Sequence, residues 1–286
     1  MWFFIAILSS LLFGMSGLFM KVSQMQRGSL YHLLFGLFVS GCAGFFIHSL
    51  WKGGIHWSSW ELWLGGLIVG VGAAWGNLVF MKVLDYGPAS LSSPLVNLNI
   101  VIVILLSTAF YHEPVGFFEI IGIVLLLIAV ILISVRKEPL TIKEKKWFYF
   151  IALAIFLFTF RNGGLKVTQE HSLDNTQVLF FAYLISAASF LVIIFFSTGQ
   201  GRQNDQGASM RIGLLWGLLC GLFSYGGLQL YSLALEIGKA SVVAPIFATN
   251  SLVIAIGSIL LYNERLKPLQ VISLFFLFVG LIFIKI

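Results

Sequence analysis

Charged residues are scarce in this chain of 286 residues: Asp, Glu, Lys and Arg make up 10% of it, and hydrophobic residues 59%. An ordinary soluble domain carries about 25% charged residues and cannot bury this much apolar surface in one core. The mean hydropathy of +1.00 points the same way. The composition therefore excludes a water-soluble globular protein and predicts an all-α polytopic membrane protein.

The chain also lacks the residue groups that chemistry would need. Its two cysteines, Cys42 and Cys220, both lie in apolar runs, and we interpret them as small buried residues rather than a disulfide. No apolar run contains paired acids, a metal-ligand cluster, a nucleophile motif or a phosphate loop. We therefore expect no enzyme activity, no metal and no cofactor. Basic loops selected by membrane insertion explain the net charge of +6 without a nucleic-acid partner.

Ten apolar runs are long enough to cross a bilayer as helices, which needs about 20 residues each. Lone strands cannot do so, because their unpaired backbone groups find no water there. Charges, Gly and Pro bound the runs at about residues 2–20, 30–50, 62–84, 88–110, 115–135, 147–167, 175–197, 212–235, 240–261 and 266–286.

The second half of the chain repeats the first. Phe13 and the stretch Lys21-Val22-Ser23-Gln24 recur 145 residues later as Phe158 and Lys166-Val167-Thr168-Gln169. Each unit has five spans, an odd number, so the second unit must enter the membrane from the opposite side. We predict two inverted five-helix repeats, residues 1–135 and 147–286, joined by a basic linker at 136–146. From the third span onward the offset is 151, matching Gly87, Ala89, Ser90, Pro94, Asn99, Tyr111 and Glu113 with Gly238, Ala240, Ser241, Pro245, Asn250, Tyr262 and Glu264.

Over its whole length the chain resembles the drug/metabolite transporter superfamily, EamA type. The resemblance is carried by two pairs of motifs, Gly87-Pro88-Ala89-Ser90 with Tyr111-His112-Glu113-Pro114 and Gly238-Lys239-Ala240-Ser241 with Tyr262-Asn263-Glu264-Arg265. It implies ten helices, with the first, third, fourth, sixth, eighth and ninth around a central cavity. It further implies export or exchange of small metabolites, often amino acids, by alternating access in a bacterial plasma (inner) membrane.

Two prolines and two acids within these motifs have physical roles of their own. Pro94 and Pro245 stand about two turns into their spans, where each should break a backbone hydrogen bond and kink the helix. Glu113 and Glu264 lie between spans, where a carboxylate can cap the N-terminus of the fifth or tenth helix. A gating or coupling role is the alternative for these two acids.

Glycines at helical spacing predict close packing of two spans. The glycines let backbones approach closely; they are Gly66, Gly70, Gly72 and Gly76 in the third span and Gly213, Gly217 and Gly221 in the eighth. We therefore predict that both spans are interior rather than lipid-facing. In the eighth span this ridge continues as Tyr225 and Gln229, where the packing is expected to open into a pocket.

Arg161 is the basic residue that lies clearly inside a span, about six residues or roughly 9 Å from the predicted end of the sixth helix. An arginine at membrane depth is costly unless paired or hydrated, which makes it a candidate for substrate binding. Its planar guanidinium suits a carboxylate or phosphate, and Asn162 adds a neutral hydrogen-bonding group. Snorkelling toward the nearer interface is the rival interpretation.

The other candidate substrate-binding residues are polar or aromatic side chains in the third, fourth, eighth and ninth spans. The repeat mates Asn99 and Asn250 should approach the pseudo-twofold axis from opposite sides, although helix-to-helix hydrogen bonds would also satisfy them. Ordinary packing or an interfacial aromatic belt is the alternative for each aromatic residue. The set comprises Trp75, Asn77, Ser93, Asn97, Asn99, Tyr225, Gln229, Tyr231, Thr249 and Asn250.

The charge pattern leaves coupling and orientation open. Glu119 is the acid nearest a span interior, one turn into the fifth span, where an interfacial position is expected. Twelve basic residues fall on one side of the predicted topology and four on the other, with Arg161 set aside. The positive-inside rule then places both termini outside the cell, whereas the family resemblance places them in the cytoplasm.

The sequence thus favours a carrier of one small polar or zwitterionic metabolite, more an exporter than an importer. The substrate would sit at Arg161, and rocking of the two repeats would expose it to either side in turn. The expected partners are this small molecule and the lipid bilayer, with the protein a monomer or homodimer. A non-transporting membrane scaffold or helper subunit, or a lipid flippase, are the alternatives.

Overall fold

The computed structural model describes residues 1–86, 95–134, 145–197, 206–261 and 268–285. Within these ranges the chain forms α-helices and no β-strand. The helices are α1 (Trp2–Met25), α2 (Leu30–Trp51), α3 (Trp60–Tyr86), α4 (Asn99–Phe110), α5 (Phe117–Ser134), α6 (Lys146–Glu170), α7 (Asn175–Ser197), α8 (Gln206–Ile237), α9 (Ala240–Ala248), α10 (Asn250–Leu261) and α11 (Pro268–Lys285).

The helices confirm the predicted all-α membrane fold. Six of them, α1, α2, α3, α6, α7 and α8, are each long and apolar enough to cross a membrane, and shorter apolar helices occupy the fourth, fifth, ninth and tenth predicted spans. Several predicted boundaries differ from the structure; for example, α1 continues to Met25 and α8 begins at Gln206. Polar side chains in these extra turns are compatible with a helix that projects beyond the hydrocarbon layer.

The ninth span is broken into α9 and α10 at Thr249, four residues after Pro245. Proline lacks the N–H that would continue the helical hydrogen bonds, and its ring crowds the preceding turn. The fourth span has a turn at Asn97 and Leu98 just before α4, and Leu98 is the repeat mate of Thr249 at the offset of 151. Pro94, the mate of Pro245, lies outside the described residues.

Ring contacts between α2 and α7 establish that the repeats are inverted. Phe38 contacts Phe190, with ring centroids 5.7 Å apart, and Phe45 contacts Tyr183 at 5.1 Å. As residue numbers rise along α2 they fall along α7, so these helices, which are repeat mates, run antiparallel. This is the geometry that an odd number of spans per repeat requires.

The two repeats interdigitate and do not form separate bundles. Helix α8 of the second repeat packs against α1 and α2 of the first, and α3 of the first packs against α6 and α7 of the second. The pairs α2–α7, α4–α9 and α5–α11 also join the two repeats. Nearly all extensive helix packing therefore crosses between residues 1–135 and 147–286.

Glycines allow the closest of these contacts. A Cβ atom added at Gly72 in α3 would lie 2.5 Å from the carbonyl oxygen of Leu157, and one at Gly217 in α8 would lie 2.2 Å from that of Leu33. The glycine faces therefore pack against other helices, as predicted. The prediction that α3 and α8 are interior rather than lipid-facing holds for their glycine faces alone, because Leu64 and Leu222 on other faces expose about half of their surface.

Candidate functional site

Arg161 lies deep in the helix bundle. It is nine residues before the end of α6, about 13 Å along the axis, which is farther from the helix end than the sequence predicted. The side chain is 9% exposed, and its guanidinium stands over the rings of Phe13 and Phe158 at 5.1 and 4.8 Å. This burial inside the bundle argues against snorkelling toward the interface.

The polar partner of Arg161 is a neutral amide. Its Nε donates to Oδ1 of Asn162 at 3.0 Å. Among the described residues no carboxylate lies within ion-pair distance of Arg161, and its two Nη groups make no hydrogen bond. The guanidinium is therefore a buried cation without a counter-charge in the described part of the chain, which is energetically costly.

Asn162 connects Arg161 to the other repeat. Its Nδ2 donates to Oδ1 of Asn99 in α4 at 2.8 Å, and Nδ2 of Asn99 donates to the carbonyl oxygen of Val96 at 2.6 Å. Asn99 thus satisfies a carbonyl at the turn before α4 and holds Asn162 in place. Its repeat mate Asn250 bonds locally, donating to the carbonyl oxygen of Phe247, so the two mates do not meet.

Two tyrosines border the arginine. The ring of Tyr231 packs on Phe247, with centroids 4.3 Å apart, and its buried hydroxyl has no hydrogen-bond partner in the part of the chain that the structure describes. The Tyr183 hydroxyl is paired with that of Ser224 at 2.5 Å. Both tyrosine hydroxyls lie within electrostatic range of Arg161. Tyr231 was predicted from the sequence, and Tyr183 was not.

Thr249 lies at the break of the ninth span and faces the first helix. Its hydroxyl is 2.8 Å from that of Ser10 in α1 and donates to the carbonyl oxygen of Ile246 at 2.6 Å. Phe247, two residues earlier, contacts Phe13, with ring centroids 5.0 Å apart. The break therefore lies beside the same α1 segment whose Phe13 covers the guanidinium.

Several predicted residues are not brought to Arg161. Tyr225 contacts His48 of α2 through its hydroxyl at 3.0 Å, and Gln229 donates to Thr176 of α7 at 3.0 Å. These two contacts lie apart from Arg161, at the C-terminal end of α2 and the first turn of α7.

Trp75 and Asn77 likewise do not form the predicted aromatic wall. Trp75 is 43% exposed and shares a helix face with the exposed Leu64 and Ile68. Asn77 bonds within its own helix, to the carbonyl oxygen of Ala73. Asn97 is half-buried in the turn before α4. Ser93, Pro94 and Glu264 lie outside the described residues.

Glu113 was predicted to cap the fifth span. In the structure it caps a helix of the other repeat instead. Its two carboxylate oxygens accept hydrogen bonds from the backbone N–H groups of Ala240 and Ser241, the first residues of α9, at 3.1 and 3.0 Å. One of them also pairs with Nζ of Lys166 at 2.8 Å, and Lys166 in turn pairs with Glu170. We call Glu113, Lys166 and the first turn of α9 the clasp.

The clasp lies at the end of the bundle that carries both termini, one helical turn beyond the arginine site. Lys166 stands four residues after Asn162 on the same face of α6, and its side chain is 6% exposed. Burial alone would raise the pKa of Glu113, but the hydrogen bonds from Lys166, Ser241 and Ala240 outweigh it and lower that pKa. Glu113 is therefore ionised near neutral pH.

A second ion pair joins the repeats beside the clasp. Nζ of Lys239 is 3.0 Å from a carboxylate oxygen of Glu119, whose other oxygen accepts from the backbone N–H of Gly116 at the start of α5. Glu119 is therefore at a helix end, as the sequence indicated, and does not lie at membrane depth.

Inverted repeats, broken central helices and a buried polar centre define a class of membrane transport proteins. The chain belongs to the EamA-like transporter family, whose sequence model matches residues 1–135 and 145–286. It is a multi-pass membrane transporter of the drug/metabolite type.

One solved crystal structure, described only as that of a protein, shares the fold with a TM-score of 0.76. The alignment covers 99% of this chain and 95% of that one at 12% identity, so it supports the fold alone. A comparison with curated protein sequences gives no match.

Proposed function

We propose that this protein is a secondary transporter that binds a small polar metabolite through an acidic group at Arg161. We infer that it exports or exchanges this metabolite across a bacterial plasma membrane. We further infer that it acts as a monomer or homodimer. The supporting observation is the buried guanidinium without a counter-charge among the described residues. A ligand carboxylate or phosphate would supply that charge and accept from the free Nη groups in the fork geometry typical of arginine.

Alternating access requires that the path from Arg161 to each surface can close. At the end that carries both termini, the clasp joins α6, α9 and the loop before α5 just beyond the arginine site. We infer that opening this end separates Glu113 from Lys166 and from α9. Broken helices such as the ninth span provide the hinge, because they lack continuous backbone hydrogen bonds.

The proposal is tested by transport in proteoliposomes. A panel of amino acids, carboxylates and phosphate esters is first screened for compounds that raise the melting temperature of the purified protein. The radiolabelled compound that gives the largest shift is then offered to proteoliposomes. We expect uptake that saturates, that Arg161→Ala abolishes, and that Arg211→Ala preserves, since Arg211 is an exposed arginine of α8.

Two results would contradict the proposed function. One is a compound that stabilises the protein but enters its proteoliposomes no faster than protein-free liposomes, which would make the chain a binding protein. The other is uptake that Arg161→Ala leaves unchanged in folded protein, which would place the substrate elsewhere.

A further inference from the structure

We infer that the substrate of the Arg161 site is an organic anion with net negative charge, a carboxylate or phosphate without a compensating ammonium group. This inference rests on the proposed function and narrows its substrate class. Three features of the site carry it: the charge balance at membrane depth, the supply of hydrogen-bond donors, and the occupation of the acceptors that an ammonium group would need.

The charge balance favours an anion because, within the described ranges, no acid forms an ion pair with Arg161. The eleven acidic residues of the sequence all fall at or beyond the ends of the apolar runs. A zwitterion bound at the site would add no net charge and leave one buried positive charge, whereas an anion would neutralise it. The acids are Glu61, Asp85, Glu113, Glu119, Glu138, Glu144, Glu170, Asp174, Asp205, Glu236 and Glu264.

Free hydrogen-bond groups around the arginine are mainly donors. The Nη groups of Arg161 are unbonded within the described ranges, and the Tyr231 hydroxyl is buried with no partner there. Guanidinium and hydroxyl groups can all donate to a carboxylate or phosphate. An ammonium group, which only donates, would gain nothing from the guanidinium and would be repelled by its charge.

Four carbonyl groups beside the helix breaks already accept hydrogen bonds from side chains of the protein. In transporters with broken helices such carbonyls are available to bind cations. Here the Val96 carbonyl accepts from Asn99. The three carbonyls before α10, those of Ile246, Phe247 and Ala248, accept from Thr249, Asn250 and Ser251 at 2.6, 2.7 and 3.0 Å.

Aromatic rings near the site are similarly engaged. One face of Phe13 and one face of Phe158, which could attract a ligand cation, are covered by the Arg161 guanidinium. The rings of Tyr231 and Phe247 pack on one another. Among the described residues, a substrate ammonium group at Arg161 would therefore find no carboxylate, and the four carbonyls and the rings named above already have partners.

The test compares compounds that share a carbon skeleton but differ in charge. Purified full-length protein is titrated with butyrate, 2-aminobutyrate, butyramide and butylamine, then with 3-phenylpropionate, phenylalanine, 3-phenylpropionamide and 3-phenylpropylamine. Methyl phosphate and glycerol 3-phosphate form the phosphate arm. We expect saturable increases in melting temperature with the anions alone. Arg161→Gln should abolish these increases, and Arg161→Lys should weaken anion affinity at least tenfold, because lysine lacks the planar fork.

A ligand-free measurement keeps the inference testable if none of these compounds binds. Because the charge of Arg161 is uncompensated without ligand, Arg161→Gln should melt at the wild-type temperature or above it. A melting temperature several degrees lower would mean that the protein itself compensates the charge, and would overturn the inference. Amino acids that stabilise as well as their deaminated carboxylates, or anion effects that survive in Arg161→Gln, would overturn it too.

Transport then separates this inference from the proposed function. Net anion movement carries charge, so an inside-positive potential, set with potassium and valinomycin, should accelerate uptake of the bound anion. Anion binding without any uptake would leave the inference standing and remove the transporter proposal. Uptake of a zwitterion that depends on Arg161 would support the transporter proposal and overturn the inference that the substrate is an anion.

Discussion

Two basic side chains of α6, Arg161 and Lys166, lie within about one and a half helical turns of each other and are treated differently by the fold. Lys166 is paired with Glu113 and Glu170, whereas Arg161 contacts a neutral amide and two aromatic rings and has no acidic partner in the described part of the chain. A compensated charge holds helices together, and an uncompensated one attracts a ligand. Within the proposed function, this contrast assigns substrate binding to Arg161. It assigns closure of the end of the bundle that carries both termini to Lys166.

The pH dependence of stability tests the role of Glu113. Its pKa is lowered from the ordinary value of 4.5, so its contribution to stability is present above that value and is lost as the pH falls through the lowered pKa. At pH 7, Glu113→Gln should cost about 2 kcal/mol, since charge-assisted hydrogen bonds are lost. Thermal unfolding in detergent from pH 7 downward should show wild type and variant converging below pH 4.5.

Glu170→Gln is the matched control, because Glu170 also pairs with Lys166 but its side chain is 38% exposed and caps no helix. It should cost well under half as much at pH 7. A second readout uses Ser107, a buried residue whose carbonyl accepts from the Glu113 backbone N–H. A cysteine placed there, with Cys42 and Cys220 changed to alanine, should react faster with a soluble thiol reagent once Glu113 is glutamine. Equal reactivity would show that Glu113 does not hold this end closed.

Sequence reasoning found Arg161, Asn162, Asn99 and Tyr231 because polar residues at membrane depth are conspicuous in apolar runs. It misplaced Trp75 because the spans are apolar on every side, so no amphipathic face indicates which side of a helix points inward. It missed the clasp because Lys166 and Glu113 lie at a span end and in a loop, where charged residues ordinarily face water. Their pairing depends on which helix ends are neighbours, and the folded structure supplies that information.

At the scale of helices, glycine decides which surfaces approach closely. The glycine spacing of α8 predicted a packed face, and Gly217 lies directly against the α2 backbone. The sequence could not show the partner, because the same spacing fits any neighbouring helix. Nor could it show that the opposite face of α8, with Leu215 and Leu222, would be exposed.

Gly217→Ala should destabilise the protein by about 1–3 kcal/mol, the usual cost of overpacking. The added Cβ would lie 2.2 Å from the Leu33 carbonyl oxygen, which is backbone and cannot move aside cheaply. Gly226→Ala in the same helix is the control, since its Cβ would meet only the flexible Leu12 side chain, at 3.2 Å. Unfolding in detergent should separate the two variants. A Gly217→Ala protein as stable as Gly226→Ala would mean that α2 and α8 are not in close contact.

At the scale of the molecule, the proposed transport cycle cannot consist of one repeat rocking against the other. Each of α2, α3 and α8 has its main neighbours in the opposite repeat, so moving residues 1–135 as a body would separate the closest contacts in the protein. The bodies that move must instead combine helices from both repeats. The inverted repeat itself could be predicted, because hydropathy gives ten spans and the internal repeat divides them into two units of five, an odd number. The interdigitation depends on contacts that neither half encodes by itself.

Interdigitation predicts how the two halves behave when they are made separately. If residues 1–140 and 141–286 are produced as two chains, they should assemble in the membrane, co-purify through a tag on one of them, and bind the same ligands as the intact protein. Either half alone should be degraded or aggregate, because its glycine faces and polar side chains would lose the partners that the other half provides. Co-purification and protease resistance of each half, alone and together, measure this. A first half that is monomeric and resistant to protease without the second would show that the repeats fold independently. In that case the transport cycle could consist of one repeat rocking against the other.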